Sequence, residues 1–339
     1  MKRILTAIVA LAAASCAPKA DYTIVADEFI YEDGVTPSCH ASTIEELPDG
    51  TLIAAWFGGT KESADDVDIW SSSKEKGGVW SAPEVIARDS LHACWNPVLF
   101  LAQDGTLLFF YKTGPKVKEW KGHLKSSLDG GLTWSADSTF QEGMFGAIKD
   151  KPVQLEGGRI IAPSSDERDG WKIHFEISDD GGANWRKVGP IAADDSVGVI
   201  QPSILRLSDG RLEALCRSTN GHIAATFSED SGDSWSRVTL TDLPNNNSGL
   251  DALTLGDGRH LLVCNNTGNR PGEHKGDRTP LSVLLSRDGQ SWEVLCDLET
   301  EPGEYSYPAV IQGKDGTVHI TYTWNRTHIR HVAMKIGGK

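Results

Sequence analysis

The chain has 339 residues, of which 39% are hydrophobic and 24% are charged, and its formal net charge is -14. This composition is typical of a folded globular protein, and the acidic balance argues against a nucleic-acid-binding surface built on positive charge. Glycine is abundant at 35 residues, and the 11 Trp outnumber both Phe and Tyr.

The N-terminus has the pattern of an export signal. Lys2 and Arg3 precede an apolar run over 4–14, and small residues follow it. This run is too short to span a membrane, so we expect a signal peptide over residues 1–15. Cys16 directly after small residues resembles a bacterial lipoprotein cleavage site, with an ordinary signal peptide as the alternative. We therefore expect an exported lipoprotein in the periplasm or at the cell surface, with Cys16 lipidated and membrane contact through the lipid only.

The other cysteines are few and widely spaced. An odd number at such spacing is not a disulfide framework, and the absence of a Cys-x-x-Cys pair argues against zinc. We expect them to be buried thiols, and we expect neither a metal nor a cofactor. They are Cys39, Cys94, Cys216, Cys264 and Cys296.

A repeated motif, Ser-x-Asp-x-Gly-x-x-Trp, dominates the rest of the chain. It occurs three times in full, once in shortened form and once with Glu75 in place of Asp, at intervals of 54, 51, 50 and 57 residues between tryptophans. Five copies at a period near fifty indicate a repeat architecture. The tryptophans are Trp80, Trp134, Trp185, Trp235 and Trp292.

A second pattern of tight hairpin dipeptides alternates with the first. Asp-Gly and Gly-Gly pairs suit two-residue turns that need a positive φ. Each pair precedes a β-like run, which defines six units. The glycines that end the pairs are Gly50, Gly105, Gly158, Gly210, Gly258 and Gly316, and the runs are 51–57, 106–112, 159–165, 211–217, 260–266 and 317–323.

Six such units predict an all-β fold, a six-bladed β-propeller with four-stranded antiparallel blades, in a single domain over 16–339. The repeated tryptophans are then expected to pack between neighbouring sheets. The last unit lacks the Ser-Asp-Trp motif, so a strand around 22–31 is expected to complete it and close the ring.

Alignment of the units on the turn glycine reveals two variable, polar columns. Because inner strands surround the axis of a propeller, these positions are expected to converge on one mouth and to form a site there. One column, seven residues after the glycine, contains Phe57, Lys112, Ser165, Arg217, Asn265 and Thr323; the other, nine before it, contains Ala41, Asn96, Lys149, Gln201, Gly249 and Tyr307.

Over about residues 35–330 the motif copies resemble the Asp-box (BNR-repeat) sialidase, or neuraminidase, superfamily. The resemblance implies three arginines that bind a sugar carboxylate, a tyrosine nucleophile assisted by a glutamate, and an aspartate as acid/base. It places two of the arginines at Arg217 and Arg278. It places the acid/base at Asp66, with Glu62 as the second choice.

The nucleophile region resembles Glu304-Tyr305-Ser306-Tyr307. Local sequence favours Tyr305 and the turn register favours Tyr307; simple strand alternation would put both on one face, so both are kept.

Two positions depart from the family pattern. His40 stands where the first arginine is expected, so the carboxylate clamp is weaker or pH-dependent. Gln201 stands where the glutamate is expected, and an amide cannot take the tyrosine proton. His40, His174 and Glu176 are then the available bases.

Several further residues suit a glycan site. Trp95 lies outside the repeated motif and offers either a stacking face or a core indole. Lys112 and Lys149 would favour an anionic ligand, unless they are solvated surface lysines. The loop 245–248, with three consecutive asparagines, either binds hydroxyls or forms a turn.

The resemblance implies a sialidase-like, exo-acting glycosidase that acts without a cofactor on glycans with a terminal acidic sugar, and the N-terminus predicts that it is exported. A polysaccharide lyase acting on a uronic acid is one alternative, because Arg, Gln, His and Tyr can also support elimination. A non-catalytic glycan-binding lipoprotein is the other. We expect a monomer.

Overall fold

The structure is a computed structural model and describes residues 21–338. The expected signal peptide and Cys16 lie outside this range. Within it, the regular structure is β-strand except for one short 3-10 helix, Val117–Glu119. No helix in the described part of the chain is long and apolar enough to cross a membrane.

The described part of the chain begins with strand β1, which belongs to the last sheet, and then forms three sheets in sequence. These strands are β1 (Tyr22–Phe29); β2 (Ser38–Glu46), β3 (Leu52–Gly59), β4 (Asp68–Lys74) and β5 (Glu84–Ala87) in blade one; β6 (Cys94–Leu101), β7 (Leu107–Thr113), β8 (Lys121–Ser127) and β9 (Ser138–Thr139) in blade two; and β10 (Val153–Gln154), β11 (Ile160–Asp166), β12 (Lys172–Ser178) and β13 (Arg186–Val188) in blade three.

Three more sheets follow in the same order. Their strands are β14 (Val199–Arg206), β15 (Leu212–Ser218), β16 (His222–Ser228) and β17 (Thr239–Pro244) in blade four; β18 (Asp251–Thr254), β19 (His260–Cys264), β20 (Leu281–Ser286) and β21 (Trp292–Glu299) in blade five; and β22 (Tyr305–Gln312), β23 (Val318–Trp324) and β24 (His328–Ile336) in blade six.

These strands form the predicted six-bladed propeller, with four antiparallel strands in each blade. Strand β1 pairs with β24 from Tyr22 opposite Ile336 to Phe29 opposite Arg330. The first and last parts of the chain therefore share blade six, as predicted, and close the ring. The second strand of every blade begins and ends within two residues of its predicted range.

The Ser-Asp-Trp motif is a turn stabilised by its own side chains. In blade two the Ser127 hydroxyl donates to Asp129 (2.7 Å) and accepts the Gly131 amide (2.8 Å), while Asp129 accepts the Thr133 amide (2.8 Å). Such bonds satisfy backbone amides that a tight turn leaves unpaired. The prediction that this motif is part of the scaffold is confirmed.

The apolar core lies between neighbouring blades. Ile53 and Phe57 of blade one pack with Leu99 and Phe109 of blade two, and Trp134 packs against this cluster. The Trp235 ring stacks on Phe175 of the preceding blade at a centroid distance of 3.7 Å. The repeated tryptophans therefore join adjacent sheets, as predicted.

The innermost strands of four blades share a bulge that the sequence pattern does not reveal. Ala41, Asn96, Gln201 and Tyr307 all have a positive φ, between 35° and 54°, and strand pairing shifts at each of these positions. All four belong to the same aligned column. A bulge interrupts the alternation of side chains, so the residues on either side of these positions do not follow a simple two-face pattern.

The connections define two sides of the ring. Because the strands are antiparallel, the Asp-Gly turns and the Ser-Asp-Trp turns lie on one side, which we call the turn side. The loops between second and third strands lie on the opposite side, which we call the loop side. Three arginines lie at the loop side: Arg217 near the end of β15, Arg278 just before β20, and Arg326 between β23 and β24.

Candidate functional site

Tyr307 is the centre of a polar cluster at the loop side. Arg217 Nη1 donates to the Tyr307 hydroxyl oxygen at 2.7 Å, and Gln201 Nε2 donates to the same oxygen at 3.1 Å. The Arg278 guanidinium carbon lies 5.6 Å from the centre of the tyrosine ring. The structure thus brings together four residues that the aligned columns and the family resemblance had selected separately.

The Gln201 amide is oriented by Arg217. Arg217 Nη1 donates to Gln201 Oε1 at 3.2 Å, which leaves Gln201 Nε2 facing the tyrosine. Gln201 is therefore a hydrogen-bond donor to Tyr307. Two donors on one oxygen stabilise negative charge there, although neither of them can accept the phenolic proton.

Arg217 is fixed from two further directions. Its Nε donates to Asn247 Oδ1 at 2.8 Å, and its guanidinium lies 5.0 Å from the centre of the Trp171 ring. The asparagine loop expected to bind hydroxyls or to form a turn therefore supports an arginine. Trp171, from the loop between β11 and β12, was not predicted; an aromatic residue in a loop-side connection was the available clue.

His40 lies against Tyr307 but brings no charge to the site. The two ring centres are 4.1 Å apart, and His40 Nδ1 is 2.9 Å from Thr323 Oγ1. Burial, followed by the positive charges of Arg326 and Arg278, holds the pKa of His40 well below its usual range. A neutral histidine of this kind cannot complete a carboxylate clamp by charge, and it is a poor acceptor for the tyrosine proton.

A third arginine, Arg326, completes the cluster and was missed by sequence reasoning. It lies in the turn between β23 and β24, where Asn325 and Arg326 both have a positive φ. Its backbone carbonyl accepts the Cys39 amide of blade one at 2.8 Å, which places it beside His40. The available clue was its position. Arg326 follows the second strand of the last unit by two residues, and Arg217 lies near the end of the second strand of blade four.

Glu304 joins two of the arginines. Its Oε1 lies 2.8 Å from Arg278 Nη1 and 2.5 Å from Arg326 Nε. Burial alone would raise the pKa of Glu304, but the charges of Arg278 and Arg326 outweigh it and the pKa is lowered. Glu304 is consequently a carboxylate at neutral pH.

The two acid/base candidates occupy different environments on the loop between β3 and β4. Glu62 reaches the cluster, since its Oε2 lies 2.7 Å from Arg326 Nη1. Asp66 is exposed and is bound by Thr60, whose amide and hydroxyl both donate to it. The hydroxyl bond and then the amide bond lower the pKa of Asp66.

Tyr305 and Tyr307 do not share a face, so the expectation from simple alternation is wrong. The bulge at Tyr307 interrupts the alternation of side chains along β22. Tyr305 packs in the apolar cluster between blades five and six, with its ring 6.4 Å from that of Trp324. Burial and the nearby carboxylates of Glu299 and Glu301 raise its pKa.

Two expected ligand contacts are wrong because their side chains lie in the interior. Trp95 is 3% exposed, donates to the Gly114 carbonyl at 2.8 Å and packs against Phe57, so it offers no face to a sugar. Lys112 is fully buried, and its ammonium group donates to the carbonyls of Asn96 (3.2 Å), Ile148 (3.2 Å) and Ala147.

Lys149 is also buried and lies below the tyrosine. Its Nζ is 5.9 Å from the centre of the Tyr307 ring, and it contacts Asp150 (2.5 Å) and the carbonyls of Leu250 (2.7 Å) and Pro308 (2.7 Å). Because its ammonium group is bonded to these protein groups, Lys149 is part of the buried structure that supports Tyr307.

The remaining candidate bases lie elsewhere. His174 Nε2 is 2.9 Å from Glu176 Oε1, and Glu176 accepts the amides of Phe145 (2.8 Å) and Gly146 (2.9 Å). This buried pair supports the chain that enters blade three. In the described part of the chain, no group of three His, Cys, Asp or Glu residues could hold a metal ion.

A family model described as a BNR repeat-like domain matches residues 50–320. The chain belongs to the BNR repeat-like domain family. A sialidase from Micromonospora viridifaciens is 24% identical over 332 residues, which cover 84% of this chain and 50% of that protein. The chain spans half or less of the length of the curated relatives it matches.

Solved structures share the fold of this BNR-repeat chain. A Dyadobacter fermentans protein of unknown function matches with a TM-score of 0.78 at 19% identity, covering 93% of this chain and 99% of that one. The intramolecular trans-sialidase of Ruminococcus gnavus matches with a TM-score of 0.72 at 16% identity, covering 91% and 97%. The BNR-repeat chain therefore shares the propeller fold of a solved trans-sialidase.

The arrangement of charges in this BNR-repeat site departs from the pattern that the resemblance implied. The position expected to hold the first arginine carries a neutral His40, while Arg326 supplies a third positive charge from another blade. The glutamate expected beside the tyrosine is Gln201, a donor. Three arginines and one tyrosine are present, but the carboxylates contact the arginines, not the tyrosine.

Proposed function

We propose that this BNR-repeat protein is a sialidase-like, exo-acting glycosidase for glycans that end in an acidic sugar. The observation that carries the proposal is the contact between Arg217 and the Tyr307 hydroxyl, with Arg278 beside the same ring. This contact puts a group that binds carboxylates next to a group that can attack carbon. Sialidases with a tyrosine nucleophile are a recognised class among glycosidases.

In this proposal each group at the loop side has a distinct task. Arg217 and Arg278 bind the carboxylate of the sugar, because guanidinium donors match the geometry of a carboxylate. Tyr307 attacks the anomeric carbon or stabilises the cation that forms there. Either Asp66 or Glu62 protonates the leaving oxygen, and water then releases the sugar from the tyrosine.

Arginine charge takes the place of a proton-accepting carboxylate beside Tyr307. The donors Arg217 and Gln201 contact the tyrosine oxygen and stabilise the negative charge that develops there during attack, and the phenolic proton passes to solvent in that step. Electrostatic stabilisation of a developing charge is a large contribution to catalysis in many enzymes.

The comparisons favour this function over its alternatives. The names of the matched relatives include sialidases and intramolecular trans-sialidases, and they do not favour a lyase or a binding protein. One matched relative is named a sialidase and another an anhydrosialidase, so the product could be a free acidic sugar or an anhydro sugar. Product analysis must therefore distinguish them.

One incubation tests the proposal. The protein is mixed with a panel of sialylated and uronate-containing oligosaccharides, and the products are separated by mass spectrometry. We expect release of an acidic sugar, free or as its anhydro form. We expect Arg217→Ala to reduce turnover by about a hundredfold or more.

The matched control is Arg211→Ala, which removes a turn-side arginine of the same blade that pairs with Asp209 at 2.8 Å. This variant should keep full activity. Unchanged turnover in Arg217→Ala would overturn the site assignment. An unsaturated uronate product would instead identify a lyase, and binding without product would identify a glycan-binding protein.

We also propose that the protein is exported, anchored by lipid at Cys16, and monomeric. Cys16 precedes β1 by six residues, and β1 begins at Tyr22 beside Ile336, on the turn side. Cys16 is the residue that the lipid would modify in this proposal. Labelling with a radioactive fatty acid tests this, since Cys16→Ser should abolish the label; sedimentation tests the monomer.

A further inference from the structure

One carboxylate already occupies part of the arginine cluster. Glu304 Oε1 contacts both Arg278 Nη1 (2.8 Å) and Arg326 Nε (2.5 Å). The three side chains are 36%, 22% and 27% exposed, respectively, so the contact is open to solvent at the loop side. A carboxylate from a ligand would meet the same donors.

The three arginines differ in how far their charge is already neutralised. Arg326 pairs with Glu62 as well as Glu304, and Arg278 pairs with Glu304. Arg217 forms no ion pair with any described residue, and its hydrogen bonds are to Asn247, Gln201 and Tyr307. Burial raises the pKa of the Glu167 carboxyl, and the charge of Arg217 opposes that shift, but the two side chains form no ion pair. Arg217 is therefore the arginine least neutralised by direct contact with a carboxylate.

We propose that Glu304 is a resident carboxylate that competes with the acid group of the substrate and limits the affinity of the site for anions. This inference rests on the proposed function and adds to it. Arg278 and Arg326 bind a sugar carboxylate only by sharing their donors with Glu304 or by displacing it. Glu304 thus lowers affinity for acidic sugars while leaving neutral groups unaffected.

Loss of the charge on Glu304 should not release the arginines. Arg326 keeps its pair with Glu62 at 2.7 Å and its backbone bond to Cys39. Arg278 keeps the Ser306 hydroxyl at 3.1 Å and its position over the Tyr307 ring. A glutamine at 304 also retains a carbonyl oxygen that can accept from both guanidinium groups.

The test measures binding of two probes by calorimetry. The first probe is 2-deoxy-2,3-didehydro-N-acetylneuraminic acid, and the second is its methyl ester, which lacks the negative charge. The variants are Glu304→Gln and, as a matched control, Glu301→Gln, an exposed residue three positions earlier. Thermal melting verifies that each variant is folded, and Glu304→Asp replaces Glu304→Gln if the latter does not fold.

We expect Glu304→Gln to bind the acid about threefold to tenfold more tightly than the unaltered protein, because one opposing charge at a partly exposed site is removed. Affinity for the methyl ester and the affinities of Glu301→Gln should not change. If Glu304→Asp is used, the shorter carboxylate should loosen the contact and tighten acid binding by a smaller factor.

Weaker or unchanged acid binding in these variants would overturn the inference and would show that Glu304 serves to position the arginines. Failure of the unaltered protein to bind the acid probe is a different result. That outcome would contradict the proposed function itself, so the two failures are distinguishable.

Discussion

At the scale of single residues, the two tyrosines of β22 provide the sharpest test of the site. Tyr307 accepts hydrogen bonds from Arg217 and Gln201, whereas Tyr305 packs in the apolar cluster between blades five and six. Only Tyr307 is in contact with groups that bind a carboxylate. The sequence left the choice between the tyrosines open, and these contacts support Tyr307 in the proposed function.

We expect Tyr307→Phe to lower turnover of an aryl sialoside by about a thousandfold or more, because the attacking oxygen is lost. Tyr305→Phe should keep turnover within about threefold, since the ring and its packing remain. Melting temperatures of both variants provide the control for folding. A larger loss in Tyr305→Phe than in Tyr307→Phe would contradict the assignment.

At the scale of elements, blade four contains a buried carboxyl where its neighbours have apolar residues. Glu213 lies three residues after its turn glycine, the position of Ile53, Leu108 and Ile161 in the first three blades. It is 1% exposed and lies beneath Gly289 of the shortened motif in blade five, where its Oε1 accepts a hydrogen bond from Gln290 Nε2 at 3.0 Å. Burial raises the pKa of Glu213 to about 7.

This raised pKa predicts a pH-dependent stability. Below about pH 4.5 the carboxyl is protonated in both the folded and the unfolded chain; between 4.5 and 7 only the folded chain retains the proton. The stabilisation from Glu213 is therefore lost as pH rises through 7. Glu213→Gln should raise the free energy of unfolding by about 2 kcal/mol at pH 8 and change it little at pH 4.5.

Urea unfolding at the two pH values measures this difference. Glu229→Gln, an exposed glutamate on the turn side of the same blade, is the control and should show no such dependence. An equal effect of Glu213→Gln at both pH values would show that the carboxyl is not titrating in this range.

The blades and their second strands were predictable from the sequence, whereas the bulge in the first strands was not. Spacing of turns and motifs predicted six blades and the second strands to within two residues, because turn chemistry is local. The bulge at Ala41, Asn96, Gln201 and Tyr307 was not predictable, since four different residue types adopt the same positive φ. That bulge is what separates Tyr305 from Tyr307.

The sequence identified only those residues of the candidate site whose positions repeat from blade to blade. The aligned columns included Arg217, Gln201 and Tyr307, because equivalent positions of the repeated strands lie near one another at the loop side of the propeller. Arg326 lies in a turn outside both columns, so alignment could not find it. Trp95 and Lys112 were wrong as ligand contacts because burial depends on partners that are distant in sequence.

At the scale of the whole molecule, the ring is joined at its centre as well as at its perimeter. Lys149 comes from blade three, and its ammonium group contacts the carbonyls of Leu250 and Pro308, which belong to blades five and six. Its neighbour Asp150 is 1% exposed, and one oxygen of that carboxylate has no hydrogen-bond partner among the described residues. Burial, opposed by the charge of Lys149, raises the pKa of Asp150 well above its usual range.

Lys149 should therefore hold the propeller together across its axis. Lys149→Met removes the partner of a buried carboxylate and leaves two carbonyls unpaired, so we expect a loss of about 3 to 5 kcal/mol in the free energy of unfolding. The double variant Lys149→Met, Asp150→Asn should recover part of that loss, because no buried charge then remains unpaired. Urea unfolding at pH 7.5 measures both, with the exposed Lys172→Met of the same blade as the control. If the double variant were no more stable than Lys149→Met, the carbonyl contacts between blades, and not the ion pair, would carry the stabilisation.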